Sequence, residues 1–439
     1  MRRVATFIVV AGCALAGAVT VGARAAPASG PARPAAWVAG IGVAKTVRFA
    51  GYTMVVPAGW PVYRLDRDRS RCVRFDQHAV YLGRPGAGQQ CPAHLVGRVA
   101  TVGLQVGRPA GGPLRGAPGG TAVSWDSVSH EIRAALPRRQ VAVTATYGTG
   151  SGQVRAILAT LRWAATGQPA FAGAVLTGLA VAAGGHHGRR HHHHPCHYRC
   201  CHHRLCHPRW LRMPVKGLDT CTAPSLDAMR AWHHEFKAAA IYLGGPEAAC
   251  SWGNLSARWI RAAVRIGWAL IPAYVGPQAP CTRFTVRIRR GHAEAEGRAA
   301  ARDAIGLSRD LGMHRGAVLY DDMEAYRSRR CRRPVLAFLD GWTRELHARG
   351  YRAGVYSSAA AAALDLGRYR HVYGHPVARP NSLWFALWDG RRNLRGRPYV
   401  RNDWWHAHRI KQYRGERRRR IGGVRLTFDS DLVDGAVYR

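Results

Sequence analysis

From Val215 to the end of the chain, short apolar strands alternate with amphipathic helices, and this order restricts the fold to a parallel α/β sheet or barrel. The predicted strands are Val215–Asp219, Ala240–Gly244, Ala269–Val275, Gly316–Glu324, Ala353–Ser357, Leu383–Trp388, Arg409–Tyr413 and Val424–Asp429. Helices are predicted to begin near Ser225, Asn254 and His292, and another contains Val335 to Leu346 and ends at Gly350. Residues 215–439 therefore predict an α/β-class TIM-like (β/α)8 barrel whose last helices are shortened or missing.

Residues 45–165 have a different pattern of short alternating runs interrupted by glycine and proline. The runs predict strands at Thr46–Phe49, Tyr52–Val56, Cys72–Phe75, Ala79–Leu82 and Val141–Ala145. We expect a smaller β-rich or α+β accessory domain, in which a Cys72–Cys91 disulfide would support a modest core. No catalytic constellation is recognisable in it, so its function is not readable from the sequence.

The first 25 residues have the pattern of an export signal. Arg2 and Arg3 precede an uncharged run, and Ala23-Arg24-Ala25 fits the small-x-small rule of signal peptidase. The arginine pair also leaves twin-arginine export open, and Cys13 lies in a partial lipoprotein box. Residues 26–44 are rich in alanine and proline and predict a flexible leader. A secreted, cell-envelope protein is expected.

Residues 166–214 predict a linker with two distinct parts. The first is apolar, and residues 164–185 come close to the length of a membrane span, so a membrane tether is one interpretation and an Ala- and Gly-rich connection is the other. The second part, residues 186–210, contains ten His and four Cys. It is either a metal-capturing segment or a low-complexity linker, because its cysteines lack the paired spacing of a structural zinc site.

The charge of the chain indicates an anionic partner. Its 65 Lys and Arg against 25 Asp and Glu give a net charge of +40, which falls to +37 without the three arginines of residues 1–25. No nucleic-acid-binding module is recognisable, so for an exported protein the expected polyanions are those of the cell wall. Eleven cysteines become ten once Cys13 is removed, and an even number in an oxidising compartment predicts disulfides.

Acidic residues recur where the predicted barrel strands end. Asp219 ends the first strand, Asp322 and Glu324 end the fourth, and Asp429 with Asp431 ends the eighth. The carboxyl ends of barrel strands form the active face, and residues two apart in a strand point to the same side. Closure would place Asp219 beside Asp429, and crowded carboxylates raise one another's pKa. We therefore expect an acid/base site rather than isolated helix caps.

Aromatic and amide side chains also fall near strand ends. Aromatic faces stack on sugar rings, and amides and carboxylates bind sugar hydroxyls. The predicted substrate-binding residues are Tyr274, Gln278, Tyr320, Trp388, Gln412 and Asp431. The alternative for several of these aromatics, and equally for Trp384, is that they fill the barrel core.

Six motifs follow one another in this region: Gly217-Leu218-Asp219-Thr220-Cys221, Tyr274-Val275-Gly276-Pro277-Gln278, Tyr320-Asp321-Asp322-Met323-Glu324, Gly354-Val355-Tyr356-Ser357-Ser358, Trp384-Phe385-Ala386-Leu387-Trp388 and Gln412-Tyr413. In this order they resemble the secreted glycoside-hydrolase-like family catalogued as domain of unknown function 1906. The resemblance covers residues 215–439, and that family is similar to the lysozymes of glycoside hydrolase family 25. It implies that Asp219, Asp322, Glu324 and Asp429 correspond to the lysozymes' acidic residues.

The expected function is hydrolysis of a β-linked glycan such as peptidoglycan. Glu324 would be the general acid, Asp322 would stabilise the positive charge at the anomeric carbon or on an oxazolinium ion, and Asp219 and Asp429 would tune pKa values and hold hydroxyls. No metal or organic cofactor is needed, and we expect a monomer. The alternative is a non-catalytic protein that binds peptidoglycan or an anionic wall polymer.

Four cysteines fall in loops that follow the first four barrel strands, on the same face as the acidic residues. Neighbouring loops favour the pairs Cys221–Cys250 and Cys281–Cys331 over the other connectivities. A free nucleophilic thiol is disfavoured, because no partner pattern of His with Asn or Asp accompanies these cysteines.

Overall fold

The structure is a computed structural model, and it describes residues 43–107, 121–171, 214–250 and 253–439. The predicted signal peptide, the leader up to residue 42, the apolar stretch after residue 171 and the His/Cys-rich segment lie outside the described residues. Among the residues described, no helix has the length and apolar character needed to cross a membrane.

Eight strands close into the predicted barrel, in the order β10-β11-β12-β13-β14-β17-β18-β19. They are β10 (Val215–Asp219), β11 (Ala238–Gly244), β12 (Ala269–Tyr274), β13 (Val318–Met323), β14 (Arg352–Ser358), β17 (Ser382–Ala386), β18 (Arg409–Ile421) and β19 (Val424–Asp434). The first seven run parallel, whereas β19 is antiparallel to both β18 and β10. The barrel thus departs from eight repeats of strand and helix, because a tight turn leads from β18 straight back through β19.

Five helices follow the first five barrel strands. They are α2 (Leu226–Trp232), α3 (Ala257–Ile266), α4 (Ala293–Asp310), α5 (Arg332–Ala348) and α6 (Ala362–Arg368). Ser225 and Ser256 accept backbone N–H bonds at the starts of α2 and α3, which satisfies donors that a helix start leaves unpaired. A two-stranded ribbon, β15 (His371–Val372) with β16 (His375–Pro376), precedes β17. The shortened helical complement agrees with the sequence-based prediction.

The barrel has two apolar layers. Its interior is filled by small and branched side chains near β11 and β12, such as Ala240 and Ile271, and by the larger Tyr320 and Trp384. Between strands and helices lies a second cluster that includes Trp232, Phe338 and Trp342. Small interior residues in β11 and β12 face large ones in β13 and β17, so the barrel interior is filled by side chains. The side chains that can contact a ligand are therefore those at the strand ends.

Helices α4 and α5 cross at two glycines. A Cβ atom on Gly297 would overlap the carbonyl of Phe338, and one on Gly341 would overlap the carbonyl of Glu294. Gly306, in the same helix α4, has open space around it. Gly297 and Gly341 are therefore required by the close approach of the two helices. They do not favour helix formation, since glycine is a poor helix former at any interior position.

Gly297→Ala is expected to lower the free energy of unfolding by about 1–3 kcal/mol, because the two backbones must move apart. Gly306→Ala, the matched control in the same helix, is expected to raise it by about 0.5–1 kcal/mol. Urea denaturation followed by circular dichroism measures both. Equal effects of the two variants would contradict the close helix crossing.

The N-terminal region, residues 43–171, is β-rich as predicted. One sheet has the order β1-β2-β9 and the other β3-β4-β5-β8-β7-β6. The strands are β1 (Ala44–Phe49), β2 (Tyr52–Pro57), β3 (Val62–Arg64), β4 (Ala79–Leu82), β5 (Thr101–Val106), β6 (Ala122–Asp126), β7 (Glu131–Leu136), β8 (Val141–Thr146) and β9 (Arg162–Trp163). Helix α1 (Gly152–Ala159) buries Val154, Ile157 and Leu158 in the core that these sheets share.

The predicted strand at Cys72–Phe75 is wrong. Only Arg74 forms a β-bridge there, and its partner is Cys250 of the barrel. The Cys72–Cys91 disulfide and a hydrogen bond from the Val73 N–H to the Gln89 side chain hold this segment as a loop. The alternating apolar residues of this segment are thus buried without the continuous backbone hydrogen bonds of a β-strand.

All three predicted disulfides are present: Cys72–Cys91, Cys221–Cys250 and Cys281–Cys331. The first two lie against each other, since their four cysteines form one buried cluster. Disulfides are typical of proteins that fold in an oxidising compartment, so they fit an extracellular protein.

The N-terminal region packs directly on the barrel around a buried arginine. Arg98 is 1% exposed, and its Nε donates to the carbonyl of Ala248 in the loop after β11 at 3.1 Å. The same guanidinium donates to the Ser129 carbonyl and lies 3.6 Å from Glu131. A buried charge with these partners is costly to uncover, so the contact between the two regions is specific.

Candidate active site

The closure of the barrel brings two predicted acids face to face. Asp219, the last residue of β10, is the register partner of Asp429 in β19. Both are almost completely buried. Since β19 runs antiparallel, Asp429 reaches this position from the middle of its strand, and not from the strand end that was predicted from the sequence. An oxygen of Asp429 accepts from the Glu416 N–H at 2.7 Å.

Asp322 and Glu324 reach the same place from β13. A buried glutamine fixes the strand end: Gln278 donates to the Asp322 carbonyl at 2.8 Å and accepts from the Glu324 N–H at 2.8 Å. Asp322 is 1% exposed, whereas the Glu324 side chain is 21% exposed. Glu324 is therefore the more accessible of the two carboxyl groups and Asp322 lies beneath it.

A histidine from the N-terminal region enters this cluster. His94 belongs to residues 86–97, which we call the strap. Its Nε2 lies 2.7 Å from Glu324 Oε1 and 3.8 Å from Asp322 Oδ2, and its Nδ1 lies 3.9 Å from Asp219 Oδ2. The imidazole thus touches the predicted acids of both β10 and β13.

Electrostatics and hydrogen bonds both favour a protonated His94: burial lowers the pKa of the imidazole, but the charges of Glu324, Asp322 and Asp219 outweigh it and raise the pKa well above its usual range. The Tyr242 hydroxyl donates to Asp219 Oδ2 at 3.0 Å, so its oxygen accepts from His94 Nδ1 at 2.7 Å. The other nitrogen, Nε2, contacts Glu324, which as a carboxylate can only accept. Both nitrogens therefore carry protons, and His94 with Glu324 is a charge-assisted ion pair.

The carboxyl groups have pKa values pushed in opposite directions. Burial raises the pKa of Asp219 to about 7 and, together with neighbouring charges, that of Asp429 to about 6. Burial and neighbouring carboxylates also hold the pKa of Asp322 well above its usual range. For Glu324, burial acts in the same direction, but the charge and hydrogen bond of His94 outweigh it and lower the pKa. The cluster therefore contains both an ionised and protonated carboxyls near neutral pH.

The donor set could in principle hold a cation. Ligand atoms of His94, Asp322 and Glu324 all lie within 4.8 Å of one another. However, 2.7 Å between Nε2 and Oε1 is the length of an N–H···O hydrogen bond, so this pair is already satisfied by a proton.

Gln412 connects the acids to the one strongly exposed aromatic among the predicted binding residues. Its Nε2 donates to Asp219 Oδ2 at 3.2 Å, and its Oε1 accepts from Trp388 Nε1 at 2.8 Å and from the Tyr356 hydroxyl at 3.2 Å. The Trp388 ring is 58% exposed and covers Gly415. An exposed indole hydrogen-bonded at its inner edge presents a face suited to a sugar ring.

Four predicted binding residues do not face the barrel mouth, although Gln278 and Asp431 lie next to the acids. Tyr274 packs on Trp342 on the helix side of the barrel and donates to Asp303, and Tyr320 lies in the barrel interior, where it donates to Ser382. Asp431 is also inside, accepting from Trp384 Nε1 at 2.9 Å. Gln278 supports the end of β13 rather than facing the site. These residues have structural roles in the described contacts.

Three residues of the cluster were not predicted from the sequence as site residues: His94, Tyr242 and Tyr356. Tyr242 and Tyr356 lie in β11 and β14 with their rings near His94. Each lies two residues before the end of its strand and therefore points to the same side as the last residue. This alternation could have predicted that both side chains lie near the site. For His94 no such signal exists, because it comes from another region, 125 residues before Asp219 in the sequence.

Comparison with known families gives one match. Residues 230–433 match the model of the Rv2525c-like glycoside hydrolase-like domain, which confirms the resemblance seen in the sequence. The matched span contains Asp322, Glu324 and Asp429 and begins after Asp219. No curated protein matches the chain at a significant level.

Solved structures that match part of this chain include an uncharacterized protein from B. stearothermophilus, at 20% identity and a TM-score of 0.35, over 51% of this chain and 99% of that one. The modular autolysin LytC from Streptococcus pneumoniae matches at 13% identity and a TM-score of 0.32, over 50% of this chain and 46% of the autolysin. A LytC structure in complex with a synthetic peptidoglycan ligand matches at 11% identity and a TM-score of 0.31.

Proposed function

We propose that this chain is a secreted cell-envelope glycoside hydrolase that cleaves a β-linked glycan such as peptidoglycan. The observation that carries the proposal is the carboxyl cluster at the barrel mouth, where Asp322 and Glu324 lie two residues apart and Asp219 and Asp429 face each other. Two neighbouring carboxyl groups at a strand end supply the acid and the charge-stabilising group that glycoside hydrolysis needs.

Glu324 is assigned as the general acid because it is the more exposed carboxyl group and extends beyond the strand end. When His94 is displaced, its cationic charge no longer lowers the Glu324 pKa, and burial, the largest influence on this group, raises it. Glu324 can then hold the proton that the departing glycosidic oxygen receives. Asp322, lying beneath it, stabilises the positive charge that develops at the anomeric carbon or on an oxazolinium ion.

Asp219 and Asp429 have a supporting role in this proposal. Asp219 accepts hydrogen bonds from Tyr242 and Gln412, and Gln412 also orients Trp388. A sugar that stacks on Trp388 would therefore lie beside the acids through a continuous set of contacts. No step of the mechanism requires a cofactor.

The test is digestion of purified peptidoglycan by the whole protein between about pH 4 and pH 8, the range in which tuned carboxyl groups operate. Formation of new reducing ends, identified by chromatography and mass spectrometry, is the expected result. Binding to the walls without any product across this range, both by the wild-type protein and by a His94→Ala variant, would contradict the proposal.

A second function, binding of an anionic wall polymer, is favoured by the hairpin formed by β18 and β19. Beyond the barrel, the alternating exposed residues of β18 are Arg414, Glu416, Arg418 and Arg420, so three of the four are basic, and Arg425 is exposed opposite Arg420. The cleft of about 270 Å³ between this hairpin and the strap includes Glu416 and Arg418 in its wall. An arginine face beside the proposed site would hold a phosphate-rich polymer next to the glycan.

The double charge reversal Arg418→Glu with Arg420→Glu is expected to weaken binding to purified poly(glycerol phosphate) by about tenfold or more at low salt, since each basic residue near an anionic surface contributes about 1 kcal/mol. The matched control is Arg258→Glu with Arg265→Glu, exposed residues of α3 that give the same change in net charge. Isothermal titration calorimetry at two salt concentrations measures both. Equal losses in the two variants would assign the binding to overall charge and not to the hairpin.

A further inference from the structure

His94 occupies the place that a substrate atom needs. A general acid must come within about 2.6–3.2 Å of the oxygen that it protonates. His94 Nε2 lies 2.7 Å from Glu324 Oε1 and also reaches to 3.8 Å from Asp322 Oδ2. A glycosidic oxygen between the same two carboxyl groups would coincide with the imidazole ring.

The ion pair also leaves Glu324 in the wrong protonation state for catalysis. The Tyr242 contact assigns a proton to His94 Nδ1, and the Glu324 contact assigns the second to Nε2. The proton that a general acid must donate is therefore held by the histidine. Position and protonation thus both oppose hydrolysis while His94 is in place.

The strap is held over the mouth by contacts that do not involve His94. Asn254 in the loop before α3 donates to the Ala87 carbonyl at 2.9 Å. At the other end, Val96 forms a β-bridge with Ala248, and the Gly97 N–H donates to the Glu247 carbonyl at 2.8 Å. The position of His94 is therefore built into the contact between the N-terminal region and the barrel.

Between these two attachments a disulfide shapes the strap. Cys91 is bonded to Cys72, and Leu95 packs on the buried cluster that also contains Cys221 and Cys250. The chain between Cys91 and Leu95 is thereby directed into the mouth, with His94 at its inner end. Residues 87, 88 and 90 on the outer side of the strap are exposed.

We propose that the strap is an autoinhibitory segment, in which His94 takes the place of the glycosidic oxygen and keeps the site latent until the strap withdraws. The inference rests on the proposed function for the nature of the ligand, a β-linked glycan. It assigns a purpose to the N-terminal region, which supplies the inhibitory side chain and the attachments that hold it. Glycan and strap compete for one site.

The test compares wild-type protein with His94→Ala in the full chain, using the β-1,4-linked tetramer of N-acetylglucosamine as the probe. A competent state populated at about 0.1–10% reduces apparent affinity by the same fraction. We therefore expect His94→Ala to bind the tetramer about 10- to 1,000-fold more tightly in calorimetry, and to release reducing ends from peptidoglycan faster than wild type. His78→Ala, an exposed histidine of the N-terminal region that bonds the Ala100 carbonyl, is the control expected to match wild type.

A second variant protects the test against misfolding of the first. Cys72→Ser with Cys91→Ser loosens the strap without changing a residue of the barrel, and it is expected to change affinity in the same direction as His94→Ala. Affinities equal to wild type in both variants, including no measurable binding by any of the proteins, would overturn the inference. Hydrolysis by wild type that is lost in His94→Ala would also overturn it, since His94 would then assist the reaction.

The two proposals fail in different ways. Tighter tetramer binding by His94→Ala without any hydrolysis would remove the proposed enzymatic function and keep the strap as a gate of a binding site. Hydrolysis by wild type at the rate of His94→Ala would keep the enzyme and remove the autoinhibition.

Discussion

Glu324→Gln is expected to lower the rate of peptidoglycan hydrolysis by about 100- to 10,000-fold, the contribution typical of a positioned general acid. Glutamine keeps the size of the side chain and the hydrogen-bond acceptor that faces His94, but it has no proton to give to the glycosidic oxygen. The measurement is the initial rate of reducing-end formation. Because the strap suppresses turnover, the substitution is compared in wild-type protein and in the His94→Ala background.

Asp321→Asn is the matched control for this substitution. Asp321 precedes Asp322 in the same strand, but its side chain points toward Gly276 and Phe338 on the helix side. Burial holds its pKa well above the usual range, so it is a neutral acid that an amide can replace. Activity within about threefold of the parent is expected for this variant. A Glu324→Gln protein that retains the parental rate would contradict the assignment of the acid.

Asp322→Asn is expected to lower the same rate by about 100- to 1,000-fold, the loss typical for removing one preorganised charge-stabilising group. The asparagine side chain has nearly the same shape as aspartate and remains buried. It is an uncharged amide, so it cannot supply negative charge opposite the anomeric carbon. Thermal melting compared with the parent protein separates this loss from unfolding. A rate within about threefold of the parent would show that Asp322 carries no charge in the transition state.

An activated leaving group distinguishes the roles of these two carboxyl groups. A 2,4-dinitrophenyl β-glycoside of an N-acetylglucosamine oligosaccharide departs without protonation, so Glu324→Gln is expected to recover most of its activity on it, whereas Asp322→Asn is not. The comparison is informative because the strap-bound structure favours the opposite protonation states. There, His94 lowers the pKa of Glu324, while burial raises that of Asp322. Recovery by Asp322→Asn alone would reverse the two assignments.

The sequence predicted the barrel well because the first six strands are short, mainly apolar runs bounded by glycine or polar residues. All eight predicted barrel strands are present, and only their ends differ, as in β11, which begins at Ala238 instead of Ala240. The direction of the last strand could not be predicted, since a run such as Val424–Asp429 reads the same in a parallel or an antiparallel strand. Register then still placed Asp429 opposite Asp219.

Sequence patterns predicted only some of the residues that lie beside the acids. Tyr274 and Tyr320 both fall near strand ends, but Tyr274 faces the helices and Tyr320 faces the barrel interior. The sequence did not predict this difference, because alternation along a strand does not say which side holds the ligand. Trp388 and Gln412 lie beside the acids as expected. The difference depends on strand stagger around the barrel, which the sequence does not display.

His94 could not have been found from the sequence by any of these signals. It lies between Ala93 and Leu95 in a loop without catalytic motifs, and its contacts with Glu324 and Tyr242 exist only because the N-terminal region docks on the loop after β11. Long-range contacts of this kind are determined by how two surfaces fit. The same docking changes the interpretation of Glu324, from a free acid to an acid held in an ion pair.

Hydrolysis in ¹⁸O-labelled water by the His94→Ala protein tests the central claim most directly. Peptidoglycan is digested between about pH 4 and pH 8, and the soluble products are analysed by mass spectrometry. The account predicts new reducing ends that each carry one ¹⁸O atom at the anomeric position, and their loss when Glu324→Gln is added to the same protein. Absence of labelled reducing ends from His94→Ala across this pH range, or their undiminished formation when Glu324→Gln is present, would contradict it.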